Sequence, residues 1–141
     1  MVIATRRRHD QAIGRSTPSV YLLPEDWTVL ECWRPNVLIA GTAPATTAVL
    51  GALRPVLRPS TAYWQQADRP PIEAPETLIV RDLSTLSRTE QRRLLDWLMV
   101  NDGTTQVVSA TPVCLLKLVE EGSFDAALYY ALNVMYFDLF E

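Results

Sequence analysis

The chain has 141 residues, of which 48% are hydrophobic and 21% charged, and its formal net charge at pH 7 is -3. These values are typical of one globular domain, and they exclude a disordered chain and any general attraction to nucleic acid or anionic membranes. Apolar runs are of strand length, far below the roughly 20 residues that span a bilayer, and no apolar core follows the basic N-terminus. We therefore expect a cytoplasmic protein without a membrane segment.

The first 17 residues contain Arg6, Arg7, Arg8 and Arg15 and show no apolar periodicity. We predict a flexible basic tail over residues 1–17, followed by one domain over residues 18–141. A nucleic-acid arm is the alternative, because clustered arginines neutralise phosphates. The lack of interleaved aromatic residues and the acidic remainder of the chain argue against it.

Two cysteines, Cys32 and Cys114, lie among apolar residues, and His9 is the only histidine. Zinc sites usually have paired ligands at close spacing, so no metal site is expected. We predict that both cysteines are reduced and buried, since a free cysteine behaves as a small hydrophobic residue.

Strand and helix patterns alternate along the rest of the chain. Five segments are predicted as strands: 37–40, 61–65, 77–80, a strand opening at Val107, and 134–139. The predicted helices are 25–33, 45–53, one capped by Ser87 and Glu90 and stopped at 101–103, one capped by Thr111 before Pro112, and roughly 123–132. This alternation indicates an α/β fold with a mainly parallel sheet that is covered on both faces.

The turn after the first buried strand is the usual ligand position in such folds. A P-loop would read G-x-x-x-x-G-K-[ST] there, with backbone amides around the phosphates and a lysine on the outer ones. Residues 41–48 read GTAPATTA. Gly41 and Thr42 open the turn, but Thr46 stands in the second glycine position, Thr47 in the lysine position and Ala48 in the hydroxyl position. By itself the segment could be an ordinary strand-to-helix turn.

The carboxyl half resembles successive blocks of the AAA+ domain of bacterial enhancer-binding proteins, the sigma-54 activators. The similar segments are 77–83, 91–95, 107–111 and 118–134, and the most specific pattern is Gly-x-Phe followed by Leu-Tyr-Tyr-x-Leu-Asn-Val within 122–134. The resemblance implies a three-layer αβα core of P-loop NTPase type. It also implies a five-stranded sheet in the order 5-1-4-3-2.

Departures from the family pattern occur where its chemistry lies. The paired acids that would hold magnesium read Arg81-Asp82, and the sensor residue expected after Thr111 is Pro112. Two expected arginines are Asp125 and Ala131. Between Thr47 and Thr77 there are only 29 residues, too few for the insertion with the sigma-contacting GAFTGA loop. Because the chain ends at Glu141, the resemblance also implies that the helical lid is absent.

The hypothesis from the sequence is a non-catalytic pseudo-ATPase domain that acts as a protein-interaction or regulatory module. It has no catalytic residues, no metal and no cofactor, and it retains only a degenerate nucleotide-binding remnant: Gly41, Thr42, Thr46, Thr47, Ala48, Arg81, Asp82 and Thr111. The alternative is a nucleotide-binding regulator of sigma-54-dependent transcription that retains weak binding of ATP and magnesium. Under the first hypothesis, a protein partner or a second copy would bind an uncovered edge near residues 137–139.

Overall fold

The computed structural model describes residues 4–7 by their backbone and residues 24–64, 71 and 73–140 in full. The strands are β1 (Ala4–Arg7), β2 (Val37–Ala40), β3 (Thr61–Trp64), β4 (Thr77–Val80), β5 (Gln106–Thr111) and β6 (Met135–Asp138). The α-helices are α1 (Pro24–Thr28), α2 (Ala43–Leu53), α3 (Arg88–Val100), α4 (Leu115–Glu120) and α5 (Ala126–Leu132). A π-helical turn, Val29–Trp33, continues α1, and short 3-10 turns span Arg54–Val56 and Leu83–Thr85.

The described strands form one sheet in the order β1-β6-β2-β5-β4-β3, and all of its neighbouring strands are parallel. Strands β2 to β6 correspond to the five predicted strands, and they lie in the predicted order. The predicted fold class is therefore confirmed. Parallel neighbours place the carboxyl ends of β2, β4 and β5 at the same edge of the sheet.

A sixth strand, β1, extends this sheet and corrects two predictions. Residues 4–7, which the sequence assigned to a flexible tail, pair in parallel with β6. The remainder of 1–17 lies outside the described residues. Because β6 has β1 on one side and β2 on the other, the segment near Phe137 is not an uncovered edge, and the Phe137 side chain is fully buried. The prediction that this edge is uncovered is therefore wrong.

The sheet separates two apolar cores, because successive residues of a strand point to opposite faces. Leu38 packs into the core beneath α3, α4 and α5, and the next residue, Ile39, packs into the core beneath α2 and the π-helical turn. Leu78 and Ile79 divide in the same way on β4. Each such buried side chain contributes about 1.5–3 kcal/mol relative to full exposure. The result is the predicted three-layer arrangement.

Helix α3 begins as predicted. The Ser87 hydroxyl accepts a hydrogen bond from the Glu90 amide at 3.1 Å, and the Glu90 carboxylate accepts one from the Ser87 amide at 2.8 Å. This capping box satisfies two amides that have no partner within the helix. Beyond the end of the helix, Gly103 adopts a φ of 79°, the left-handed conformation that glycine tolerates best.

Other local predictions are wrong. Helix α4 begins at Leu115 after Cys114, not at Pro112 with Thr111 as its cap, because Thr111 still belongs to β5. Cys32 and Cys114 are both exposed free thiols instead of buried ones.

Within the described part of the chain, no helix is both long and apolar enough to cross a membrane.

Candidate functional site

The sequence-predicted remnant lies at the carboxyl edge of the sheet. Gly41 follows β2, Arg81 and Asp82 follow β4, and Thr111 ends β5. The Gly41 amide donates to the Thr111 carbonyl at 3.1 Å, which ties the ends of β2 and β5 together. The parallel sheet thus brings residues from three separate segments to one place.

Only Gly41 and Thr42 separate β2 from α2, so most of the segment 41–48 is helical. The Thr42 side chain caps the helix by accepting from the Ala45 amide at 3.4 Å, and Pro44 lies in the first turn. Proline suits this position because its φ is already helical and its missing amide would have no partner there. A threonine cap and an early proline therefore start the helix two residues after the strand, not at Ala45 as the sequence suggested.

From Thr46 onward, this early start uses backbone amides that a phosphate cradle would need. The Thr46 amide donates to the Thr42 carbonyl at 2.9 Å, and the following residues, including Thr47 and Ala48, lie inside the helix. The Thr46 side chain is buried, and its hydroxyl donates to the Ala43 carbonyl at 3.1 Å. Amides within a helix are occupied by carbonyls four residues earlier and do not point toward a ligand.

Leu139 covers Gly41 from the other side. Its amide donates to the Ala40 carbonyl at 2.8 Å, which holds the residue directly beside the end of β2. A Cβ atom built on Gly41 would lie 2.8 Å from the Leu139 Cβ. Sequence reasoning missed this residue. Its signal was the parallel pairing of β6 with β2, which brings the residue after β6 beside the residue after β2.

Arg81 and Thr47 are joined by a side-chain hydrogen bond. The Arg81 Nη2 donates to the Thr47 Oγ1 over 2.7 Å, in an exposed position. Arg81, which the sequence predicts in the acid position, thus carries a cation, and it contacts Thr47, which the sequence predicts in the lysine position. The charges expected at these two positions are therefore replaced by a cation and a neutral hydroxyl.

The last two remnant residues form local contacts. Asp82 adopts a left-handed conformation with φ 56°, and it is exposed. The Thr111 hydroxyl donates to the Val113 carbonyl at 2.9 Å and accepts from the Val113 amide at 3.2 Å. Thr111 therefore closes a turn after β5 with both its donor and an acceptor in use.

The space between these segments is a cavity of about 20 Å³. Its lining includes Gly41, Thr46, Arg81, Asp82 and Thr111, whereas Thr42, Thr47 and Ala48 do not reach it. That volume corresponds to about one water molecule, while pockets for small organic ligands measure roughly 300–1,000 Å³. The structure thus brings five of the eight remnant residues together around very little space.

A family-model comparison matches the sigma-54 interaction domain over residues 59–140, which is more than half of the chain. The matched range begins after α2, so residues 41–48 lie outside it. No curated protein matches the sequence.

Solved structures share the fold at low sequence identity. NtrX from Brucella abortus in complex with ATP superposes with a TM-score of 0.60 at 16% identity, over 80% of this chain and 34% of that one. The ADP complex of NtrX superposes with a TM-score of 0.58 at 17% identity, over 82% of this chain and 35% of that one. The P-loop NTPase domain of the sigma-54 transport activator from E. coli gives 0.53 at 20% identity, over 75% of this chain and 97% of that one. The chain spans about a third of the NtrX structures, and these similarities establish the fold alone.

Proposed function

This chain belongs to the sigma-54 interaction domain family, and we propose that it is a non-catalytic member that acts through protein contacts instead of ATP turnover. The observation that carries the proposal is the helical state of residues 43–48. In the P-loop motif these positions form an open loop between strand and helix. Here they form the first turns of α2.

The shape of the site supports the proposal. A nucleotide needs backbone amides that face its phosphates, but the Thr46 amide is bonded to Thr42 and the Leu139 side chain packs against Gly41. The remaining cavity of about 20 Å³ holds about one water molecule and no triphosphate. The residues at this edge therefore do not fit ATP.

The charge of the site points in the same direction. Phosphoryl transfer depends on positioned cations and on acids that hold magnesium. Arg81 occupies one acid position, and Asp82 is the only carboxylate that lines the cavity among the described residues. Thr47 offers no charge to the outer phosphates. The charges at this edge therefore do not support phosphoryl transfer.

Calorimetry with ATP and magnesium on the full chain tests the proposal. We expect no binding tighter than about 1 mM, which corresponds to roughly -4 kcal/mol. We also expect no magnesium-dependent release of phosphate. A dissociation constant in the low micromolar range would overturn the proposal and support the alternative of a nucleotide-binding regulator.

A Thr47→Lys variant extends this experiment by returning the missing cation. We expect ATP binding to stay undetected, because the amides of residues 46–48 remain in α2 and Arg81 already lies beside position 47. If the lysine alone produced micromolar binding, the loss of function would rest on one charge and the backbone argument would fail.

The interaction half of the proposal rests on exposed apolar surface. The described surface includes large exposed hydrophobic side chains, and tryptophan and tyrosine are over-represented among residues that dominate binding energy at interfaces. The most exposed of them are Val100, Trp33, Met99, Tyr130 and Tyr63. Crosslinking of the full chain with sigma-54 and with itself, followed by mass spectrometry, tests this half. If the chain crosslinks neither to sigma-54 nor to a second copy of itself, this half of the proposal is contradicted.

A further inference from the structure

A much larger cavity lies at the opposite, amino edge of the sheet. Its volume is about 620 Å³, within the range of roughly 300–1,000 Å³ for small-molecule pockets. The walls come from the segments that precede β2, β5 and β6 and from the last turn of α3. Ligands of open α/β sheets usually bind at the carboxyl edge, so this cavity lies away from the usual ligand position of the fold.

Part of the lining of this amino-edge cavity is apolar. Trp33 and Met99 line it, with 78% and 71% of their surfaces exposed, beside the buried Leu98. An exposed tryptophan and methionine at the mouth of a cavity offer a large polarisable contact surface. An aromatic or aliphatic group in the cavity would remove this surface from water.

Arg34 lies on the same cavity with an incompletely paired charge. It ends the π-helical turn in a left-handed conformation, φ 49° and ψ 55°, which is uncommon for a residue with a side chain. Its Nη2 donates to the Glu76 carbonyl, while its Nε is buried without a partner. Burial and the charge of Arg58 lower the pKa of Arg34, and the Glu76 carboxylate only partly offsets them. That carboxylate is bonded to Arg58 at 3.2 Å.

Gln106 contributes a second unpaired group. Only 1% of its surface is exposed, and its Nε2 donates to the Pro35 carbonyl at 2.8 Å. Its Oε1 is buried without a hydrogen-bond partner. Because an amide oxygen only accepts hydrogen bonds, a donor such as a water molecule, and not a carboxylate, would pair with this atom.

We propose that the amino-edge cavity binds a small monocarboxylate with an apolar or aromatic body. The carboxylate would accept hydrogen bonds from the Arg34 guanidinium, and the body would lie against Trp33 and Met99. A monoanion fits better than a phosphate dianion, because Asp102 also lines the cavity and Glu76 lies close to both arginines. Arginine presents paired donors that match a carboxylate.

Proton–nitrogen NMR titration of the full chain tests the proposal, with benzoate and indole-3-acetate as probes at constant ionic strength. Benzamide supplies the body without the charge, and acetate supplies the charge without the body. We expect the aromatic acids to shift the Trp33 indole and the amides of residues 101–106, with both controls at least about tenfold weaker. Equal binding of benzoate and benzamide, or no saturable shift at these residues up to about 10 mM acid, would overturn the proposal.

Arg34→Gln should weaken the binding of benzoate at least about tenfold and leave the binding of benzamide unchanged. Arg88→Gln is the matched control, because Arg88 is exposed at the other end of α3. If Arg34→Gln does not fold, Met99→Glu places a like charge on an exposed side chain and should weaken benzoate similarly. Unchanged benzoate affinity in the folded variants would contradict the proposed site.

The cysteines give an internal control for location. Both thiols are exposed, but Cys32 lines the cavity and Cys114 does not. Benzoate should slow alkylation of Cys32 and leave the rate for Cys114 unchanged. Equal slowing of both thiols would place binding elsewhere and contradict the proposal.

Discussion

At Gly41 the neighbouring residue Leu139 leaves no room for a side chain. An added Cβ would lie 2.8 Å from the Leu139 Cβ, closer than real Cβ atoms approach one another. We expect Gly41→Ala to lower the free energy of unfolding by about 1–3 kcal/mol, because the strand ends must shift apart. Urea denaturation measures the loss. A second substitution, Leu139→Ala, should recover part of it if this contact is the cause.

Gly51 provides the matched control for the same substitution. It lies within α2, is exposed, and an added Cβ would meet no atom within 4 Å. Gly51→Ala should therefore raise the free energy of unfolding by about 0.5–1 kcal/mol through helix propensity. Losses of similar size in both variants would contradict the close approach at Gly41.

Tyr129 links stability to alkaline pH. Burial raises its pKa above the ordinary value, and the hydrogen bond from the Asn133 side chain, 3.0 Å long, partly offsets this. The folded state therefore holds the phenolic proton more tightly than the unfolded state. This contribution to stability is complete below a pH of about 10 and is lost as the pH rises through the folded pKa.

The Tyr129→Phe variant should accordingly lose less stability than the original chain between about pH 9 and pH 11. At neutral pH it should be less stable, because the Asn133 side chain loses its hydrogen-bond acceptor. Urea denaturation at several pH values measures both effects. Parallel pH profiles for the two proteins would show that burial of this phenol does not affect stability.

Among the elements, α2 begins two residues earlier than the sequence predicted. The sequence prediction compared residues 41–48 with a P-loop and interpreted them as a degenerate loop that lacks the lysine. Thr42 and Pro44 were visible as a cap and a first-turn proline, and together they start the helix at Ala43. The comparison with the P-loop treated both residues as loop residues, so their roles at the start of a helix were overlooked.

Strand β6 lies inside the sheet, and this changes what a substitution at Phe137 should do. An uncovered edge would tolerate a charge there, but the Phe137 side chain is fully buried in the core beneath α2. Phe137→Asp should cost at least about 4 kcal/mol or prevent folding, because it leaves a cavity and buries a carboxylate. Circular dichroism and urea denaturation measure this directly.

Tyr130 supplies the comparison for that substitution. Its side chain is 63% exposed, and its ring forms an edge-to-face pair with the ring of Tyr129, with centroids 5.2 Å apart. Tyr130→Asp should therefore cost no more than about 1.5 kcal/mol. A mild effect at Phe137, similar to that at Tyr130, would show that β6 is open to solvent.

At the scale of the whole molecule, the sequence predicted the interior of the sheet far better than its margin. Val37–Ala40 and Thr77–Val80 are apolar throughout because both faces of these strands are covered, so their positions could be read locally. Residues 4–7 include two arginines and no apolar run. Their strand depends on pairing with β6 at the other end of the chain, which no local pattern reports.

The amino-edge cavity escaped prediction for a similar reason. Its walls come from residues far apart in the chain, such as Arg34, Met99 and Val134, and no motif joins them. Exposure of Cys32 and Trp33 also depends on how the π-helical turn packs. Apolar neighbours in sequence predicted burial there, but the turn presents these side chains to solvent.

The pairing of β1 with β6 makes a prediction about assembly of the whole chain. Without residues 1–7, the main chain of β6 would present unpaired amides and carbonyls along Met135–Asp138, and such edges pair with other chains. We expect a chain that begins at residue 8 to form larger species than residues 1–141 as concentration rises. Removal of residues 1–3 alone, which keeps all of β1, is the control. Light scattering after size-exclusion chromatography measures the masses, and equal masses for all three chains would show that β1 does not protect this edge.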